Sequence, residues 1–399
     1  MRISTSNSYD ASLQQLMTRQ DNLSAAQEQL TTGKRVNRAS DDPAAAARAE
    51  RALAAEKRAV AGQRAVDASK NAMTLTESAL GDATDLLQQV RETLIAAGNA
   101  TYTDAERKGL ADKIGELRKQ LMAVSNRADG AGTYLFGGQG SGQPPFLDAA
   151  GGVVYRGGDG EAEVASTEAL PITTNGDQIW MQARSGNGVF DTHAVTATGT
   201  AWIDSGSVTN PSALTGSTYS IQFSVAAGVT TYSILQDGAP TAQVGMPFKP
   251  GQAIQIDGMS ATIAGSPADL DEFTITPSST GQTVFDTLDK AIADLKTPLR
   301  SGTQIAQSNA DNLANLDQVM ANISGARTRV GETLNRIDGV TGRLDSLQLS
   351  SKTARSDAED LDMTSAISDF ANQQTGYDAS LKAYTMVQKL SLFNYLSGG

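Results

Sequence analysis

The 399-residue chain has no cysteine, a single histidine and only 5% aromatic residues. Without cysteine there is no disulfide framework, no thiolate nucleophile and no sulfur-based metal site. His193 has no second imidazole to join it, so a zinc site built on two histidines one helical turn apart is impossible. A Ser-His-Asp arrangement would have one candidate base, in a region with no other mark of an active site. No stretch of eighteen apolar residues occurs, so no membrane insertion is expected. The opening Met1-Arg2-Ile3-Ser4-Thr5-Ser6-Asn7-Ser8 lacks a basic region followed by an apolar core, and is not a cleavable secretory signal. The glycine-rich run Phe136-Gly137-Gly138-Gln139-Gly140-Ser141-Gly142 has no Lys-Ser or Lys-Thr pair and does not lie between a strand and a helix, so it is not a phosphate loop. No catalytic residue, metal or cofactor is expected.

Ala, Gln, Ser, Thr and Gly dominate instead. The net charge is -12 and is uneven: between Gly137 and Gly281 thirteen acids face only Arg156, Arg184 and Lys249. An acidic middle of this kind repels phosphate and favours solubility, which argues against a nucleic-acid partner. The absence of cysteine suits either the cytoplasm or an exit route that threads the chain unfolded, and composition does not choose between them.

The two ends carry matching apolar stripes. Tyr9, Leu13, Leu16, Gln20, Leu23, Gln27 and Leu30 alternate in steps of four and three, as do Met363, Ile367, Phe370, Gln374, Tyr377, Leu381 and Tyr384. That rhythm is a coiled-coil seam. A thin seam interrupted by glutamine is marginal in water unless something else packs on it. The ends are therefore expected to fold fully only in an assembly, although an ordinary antiparallel pair closing a bundle has the same spacing.

Between the ends the chain reads as helix, strands, helix. Gly33 is a helix stop, and Asp41-Asp42-Pro43 reads as a cap followed by proline at the first helical position, together marking a hinge. Val66, Met73, Leu80, Leu87 and Leu94 recur every seventh residue up to Gly98, and Thr103-Asp104-Ala105-Glu106 is a capping box before Leu110, Ile114, Leu117, Leu121 and Val124. From Gly137 the composition shifts to Gly, Thr, Ser, Val and Pro. Tyr219, Ile221, Phe223 and Val225 alternate with polar residues, as do Ile254 and Ile256 before Asp257-Gly258, which predicts strands and tight turns. Trp180 and Trp202 fall here and read as core or half-buried residues. Helix returns with Val284, Phe285, Leu288, Ile292 and Leu295, then Leu316, Ile323, Val330, Ile337 and Leu344 at sevenfold spacing. The fold class is thus α + β and multidomain: a long-helix coiled-coil bundle made by the N- and C-terminal parts, with an inserted all-β domain. The expected divisions are 1–40 with 361–399 as a terminal assembly domain disordered in the monomer, 41–136 with 282–360 as a helical rod, and 137–281 as a β-rich outer insert.

The opening Ile3-Ser4-Thr5, the segment Leu30-Thr31-Thr32-Gly33-Lys34-Arg35-Val36-Asn37-Arg38-Ala39-Ser40-Asp41-Asp42-Pro43-Ala44 and this nested layout resemble bacterial flagellin and its relatives. The resemblance covers well over half the chain, and the loop segment is its most specific part. Three places look less like filament subunits than like the relatives at the hook-filament junction. They are Tyr134-Leu135-Phe136-Gly137-Gly138 with Pro144-Pro145-Phe146, the return at Gly281 to Leu288, and the tail through Leu392-Phe393-Asn394-Tyr395-Leu396, which lacks a flagellin-type Leu-Leu-Arg ending.

The resemblance implies an extracellular structural protein of the flagellum, whose terminal helices form the core of a tube and whose insert faces outward. It implies a ring of identical subunits between hook-associated protein 1 and flagellin, export through the flagellar type III system, and a chaperone on the C-terminal helix. The assembly interface would then comprise Tyr9, Leu13, Leu16, Leu23, Leu30, Ile367, Phe370, Tyr377, Leu381, Tyr384, Leu392 and Phe393. Two other readings stay open: a filament flagellin, and a cytoplasmic helical signalling rod. The insert carries no specific match, and its surface role is unassigned.

Overall fold

The computed structural model describes the backbone of residues 5–99, 101–139, 142–166 and 168–396, with side chains from residue 10 to 386 and at 388 within those spans. The chain divides into two compact units, one of residues 1–64 with 340–399 and one of residues 65–339. Helices α1 (Thr5–Thr32), α2 (Pro43–Ala97), α3 (Asp104–Ser125), α4 (Gly176–Trp180), α5 (Val284–Lys296), α6 (Gly302–Glu359) and α7 (Met363–Leu396) follow in order, with all strands lying between α3 and α5.

Unit 65–339 is built on the sevenfold repeats. Val66, Met73, Leu80, Leu87 and Leu94 of α2 are buried, as are Leu316, Ile323, Val330 and Ile337 of α6. The antiparallel pairing of these stretches is marked by the ion pairs Lys70–Asp338, Arg327–Glu77 and Arg91–Asp317 along its flank. These pairs are exposed and worth little each, so apolar burial provides the stability. α3 starts at the capping box read from the sequence, with the Thr103 side chain accepting from the Glu106 amide and Glu106 reaching back. α3 and α5 lie antiparallel, joined by Lys296–Asp112 and by Arg118, whose guanidinium bonds Asp148 and Asp289 and lies 5.7 Å from the Phe285 ring. Those two carboxylates hold Arg118 firmly protonated.

The insert has its own core. Strands Ala239–Pro240, Val229–Gln236, Tyr219–Ala226, Glu272–Pro277 and Phe190–Thr196 lie side by side, with Met246–Pro247 also on Val229–Gln236. The neighbouring strands are antiparallel, with Phe223 opposite Tyr232, Phe273 opposite Ile221 and Thr274 opposite His193. A second sheet of Ala253–Ile256, Met259–Ala264, Trp202–Ile203 and Ser207–Val208 faces it. Phe190, Ile203, Tyr219, Ile221, Phe223, Ile234, Ile254, Ile263, Phe273 and Ile275 fill the space between. The two-residue alternation read from Tyr219 and from Ile254 is the inward face of these strands.

The insert also holds a short α-helix. Asn175 caps the short α4, its side chain accepting from the Asp177 amide, and delivers Trp180 fully buried. Trp180 meets Phe136 at 5.4 Å, Phe146 at 6.1 Å and Phe285 at 6.2 Å, so the entry and return segments of the insert close on one aromatic cluster. Gly138, in the entry segment, has φ +63° and no room for a Cβ beside the Gly158 carbonyl, which accounts for glycine there.

Candidate functional site

Unit 1–64 with 340–399 holds every site residue read from the sequence. Its centre is a joint where two chain breaks lie side by side. α1 ends at Gly33, with φ +71° and its amide on the Gln29 carbonyl at 2.9 Å. Across from it, α6 gives way to α7 at Asp360 to Asp362. Lys34 and Asp360 form an antiparallel bridge, the Arg35 amide donates to the Glu359 carbonyl at 2.7 Å, and the Leu361 amide donates to the Gly33 carbonyl at 3.0 Å. Charged side chains reinforce this: Lys34 pairs with Glu359 at 3.2 Å, Arg35 with Asp42 at 3.2 Å, and Arg355 with Glu56 at 2.8 Å.

The two acids before Pro43 have different tasks. Asp42 Oδ1 accepts from the Ala45 amide at 2.9 Å and caps α2, whose first residue is Pro43. That amide, together with Arg35, holds the Asp42 carboxyl below the usual range. Asp41 instead accepts from the amides of Asn37 and Arg38 at 3.0 and 2.8 Å, tying up the loop and not the helix. Asp362 repeats the cap for α7 through the Thr364 and Ser365 amides, which lower its carboxyl in the same way. Val36 is buried beneath the joint.

α1 and α7 pack antiparallel, with Ser12, Leu16 and Arg19 beside Ser380 and Tyr384 at one end and Ala26 beside Ala366 and Gln373 at the other. Leu13, Leu16, Leu23 and Leu30 are half-buried, as are Phe370, Tyr377 and Tyr384. The other members of the stripes are not covered. Gln20, Gln27 and Gln374 are exposed, and Met363, Ile367 and Leu381 are 46, 57 and 42% exposed. The contact is turned by about one residue from the seam read in the sequence. Small residues at Ser12, Ala26, Ala366, Gly376 and Ser380 let the backbones approach on that side, and a side chain at Gly376 would strike the Arg19 guanidinium. Small residues on this side, Ser12 and Ala26 fourteen apart on α1 and Gly376 and Ser380 four apart on α7, are a signal that a search for large apolar residues passes over. The side chains of Tyr9, Leu392 and Phe393 lie outside the described residues.

Among the described residues, no side chain of α1 or α7 is fully buried. A helix pair with a half-buried seam and an adjoining bare stripe gains little from its internal contact. Chemically the region offers no site either: no cluster of metal-ligating side chains occurs among the described residues, and no described helix is long and apolar enough to cross a membrane.

This architecture defines a flagellin-type structural protein. Residues 3–141 match the bacterial flagellin N-terminal helical region, and residues 313–396 the bacterial flagellin C-terminal helical region. The chain is 27% identical to flagellar hook-associated protein 3 of Escherichia coli strain K12, over 98% of this chain and 99% of that one. The crystal structure of FlgL from Xanthomonas campestris superposes with a TM-score of 0.68 at 30% identity, covering 77% of this chain and 99% of that chain. Hook-associated protein 3 of Legionella pneumophila gives 0.71 at 26%, covering 76 and 97%. The chain belongs to the flagellar hook-associated protein 3 family. It is accordingly a structural, non-enzymatic component of the flagellum, an extracellular assembly.

Proposed function

We propose that the chain forms a ring of identical subunits at the hook-filament junction, seated on hook-associated protein 1 and presenting its other side to the first flagellin subunits. The observation that carries this reading is the bare stripe of Met363, Ile367 and Leu381 on a helix whose adjoining stripe already packs on α1. A neighbouring subunit laid against that stripe would complete a two-sided seam on each helix, and the energy would be shared over many apolar residues. The names and titles of the relatives support the location, one of them being described as a flagellar junction protein from Legionella pneumophila. Export unfolded through the flagellar type III system, with a chaperone holding α7 until delivery, fits a chain without cysteine whose terminal helices gain little from each other.

The same reading assigns the interface to Tyr9, Leu13, Leu16, Leu23, Leu30, Ile367, Phe370, Tyr377, Leu381, Tyr384, Leu392 and Phe393, and makes the joint at Gly33, Asp41, Asp42 and Pro43 the place where the terminal pair attaches to α2 and α6. The test is Leu381→Asp. Since Leu381 is exposed in the single chain, the variant should keep its fold and export yet fail to enter the flagellum. Cells that swim with normal filaments carrying the variant would refute the assignment.

A further inference from the structure

Among the described residues, five that are not glycine hold left-handed backbone. Ala227, Asp237 and Asp257 each precede a glycine in a two-residue hairpin turn, which requires that conformation at both places. Leu270, at φ +69°, and Leu299, at φ +57°, are in no such hairpin, and a bulky side chain there carries a conformational cost. They are also the two most exposed large apolar residues described, at 78 and 92%. A single exposed leucine is ordinary, but one held in a backbone that glycine adopts more easily has a cause outside its own turn.

Leu270 is presented on a rigid frame. The Asp271 amide donates to the Ala268 carbonyl at 3.2 Å, closing a turn with Leu270 in the third place, where a positive φ favours glycine. The fully buried Asp271 carboxylate accepts from the Thr198 amide and hydroxyl at 2.7 and 2.9 Å, and from the Gly199 and Ala268 amides at 3.1 and 2.8 Å. The Leu270 amide donates to the Phe223 carbonyl at 3.0 Å, and Asp269 accepts from the Val225 amide at 2.9 Å. These bonds hold the strained turn in place, with the leucine side chain in solvent and Asp269 and Glu272 flanking it in the chain.

A cleft of matching character lies between α6 and the part of the insert around α4. It encloses about 460 Å³ and is lined by the buried Met73, Ile179, Ala326 and Val330. Arg329 and Arg336, two turns apart on α6, stand exposed at its rim with Glu161 and Glu332. Elsewhere on α6, Arg327 and Arg355 pair with Glu77 and Glu56 at 2.6 and 2.8 Å, but no described carboxylate comes within pairing distance of Arg329 or Arg336. Apolar walls beneath unpaired guanidiniums suit an apolar side chain flanked by acids. Leu299, with Lys296 and Arg300 near it in the chain, has the wrong charge around it.

The Leu270 turn cannot reach the cleft of its own chain. Beside its frame, the Thr200 carbonyl accepts from Thr303 Oγ1 at 3.2 Å, close to the start of α6. Arg329 lies roughly 40 Å further along that helix at the usual rise per residue. We infer that Leu270 is a docking knob that enters the Arg329–Arg336 cleft of a second copy of this chain, with Asp269 and Glu272 against its guanidiniums. The contact is heterologous and staggered, a kind that propagates from subunit to subunit. It rests on the proposed assembly of identical subunits and adds a link outside the terminal helices.

Because the chain has no cysteine, thiols placed on the two sides report proximity without background. Leu270→Cys keeps a small apolar knob. Combined with Thr333→Cys in the cleft, it should let a short bismaleimide link the subunits of intact flagella into a ladder, absent from either single variant. Leu270→Gly removes knob and strain together, so its thermal unfolding midpoint should be no lower than that of the native chain. Native subunits co-expressed in equal amount should nevertheless outnumber it about tenfold on hooks, the scale of one lost leucine contact. No ladder from an incorporated double variant, a ladder from Leu270→Cys alone, a lowered midpoint, or equal incorporation of Leu270→Gly would each overturn the knob. Leu381→Asp chains entering flagella would instead overturn the assembly of identical subunits through their terminal helices, a result independent of the ladder.

Discussion

Trp180 shows what one residue contributes. It is fully buried, and its ring stacks on Phe285 at an interplanar angle of 15° while meeting Phe136 edge-on. Those partners stand at the two ends of the insert, so the indole holds entry and return together. Trp180→Ala should lower the stability of the 65–339 unit by about 4 kcal/mol, the usual cost of emptying a large aromatic site. Near-UV circular dichroism during thermal unfolding would read it, and an unchanged midpoint would mean the cluster is not what closes the insert. The tryptophan reads as core or half-buried from the sequence, but its partners do not, because residues 136, 146, 180 and 285 meet only after the intervening strands fold. Asp41 teaches the same lesson at shorter range. Two acids before a proline both read as caps, yet only Asp42 reaches α2, since Asp41 is drawn back to the Asn37 and Arg38 amides.

Among elements, legibility follows the depth of burial. The sevenfold repeats of α2 and α6 face one well-covered core, so their period shows in the sequence and their residues are buried as expected. In α1 and α7 two stripes overlap, sharing Leu16, Leu23 and Leu30 on one helix and Phe370, Tyr377 and Tyr384 on the other. Large apolar residues mark one stripe and small residues the other, and the helices pack on the side where small residues allow close approach.

That division predicts a contrast between two substitutions. Leu381→Asp should leave the helix content of the purified chain unchanged, whereas Phe370→Asp should also loosen α1 from α7, read by circular dichroism at low temperature. Brief trypsin digestion gives a second check. Cleavage at Arg19 and Lys382, both exposed on the terminal pair, should precede any cut in α2 or α6. A terminal pair as resistant as the bundle would show that it folds without partners.

On the scale of the whole molecule, the helical ends and the strands between them differ in what they carry. The N- and C-terminal regions carry the flagellin-type match and the bare stripe, and the insert carries most of the negative charge and its own core. On the proposed reading a subunit joins the assembly through its ends, while the insert is built around a core cluster of its own, and little of its surface could be read for function. The role at the junction is best tested in cells deprived of this gene, by electron microscopy of the surface together with assay of flagellin in the spent medium. Hooks without filaments, with flagellin released into the medium, are the expected result. Normal filaments, or bare hooks with no other flagellin released, would contradict it, the latter by making this chain the filament subunit itself.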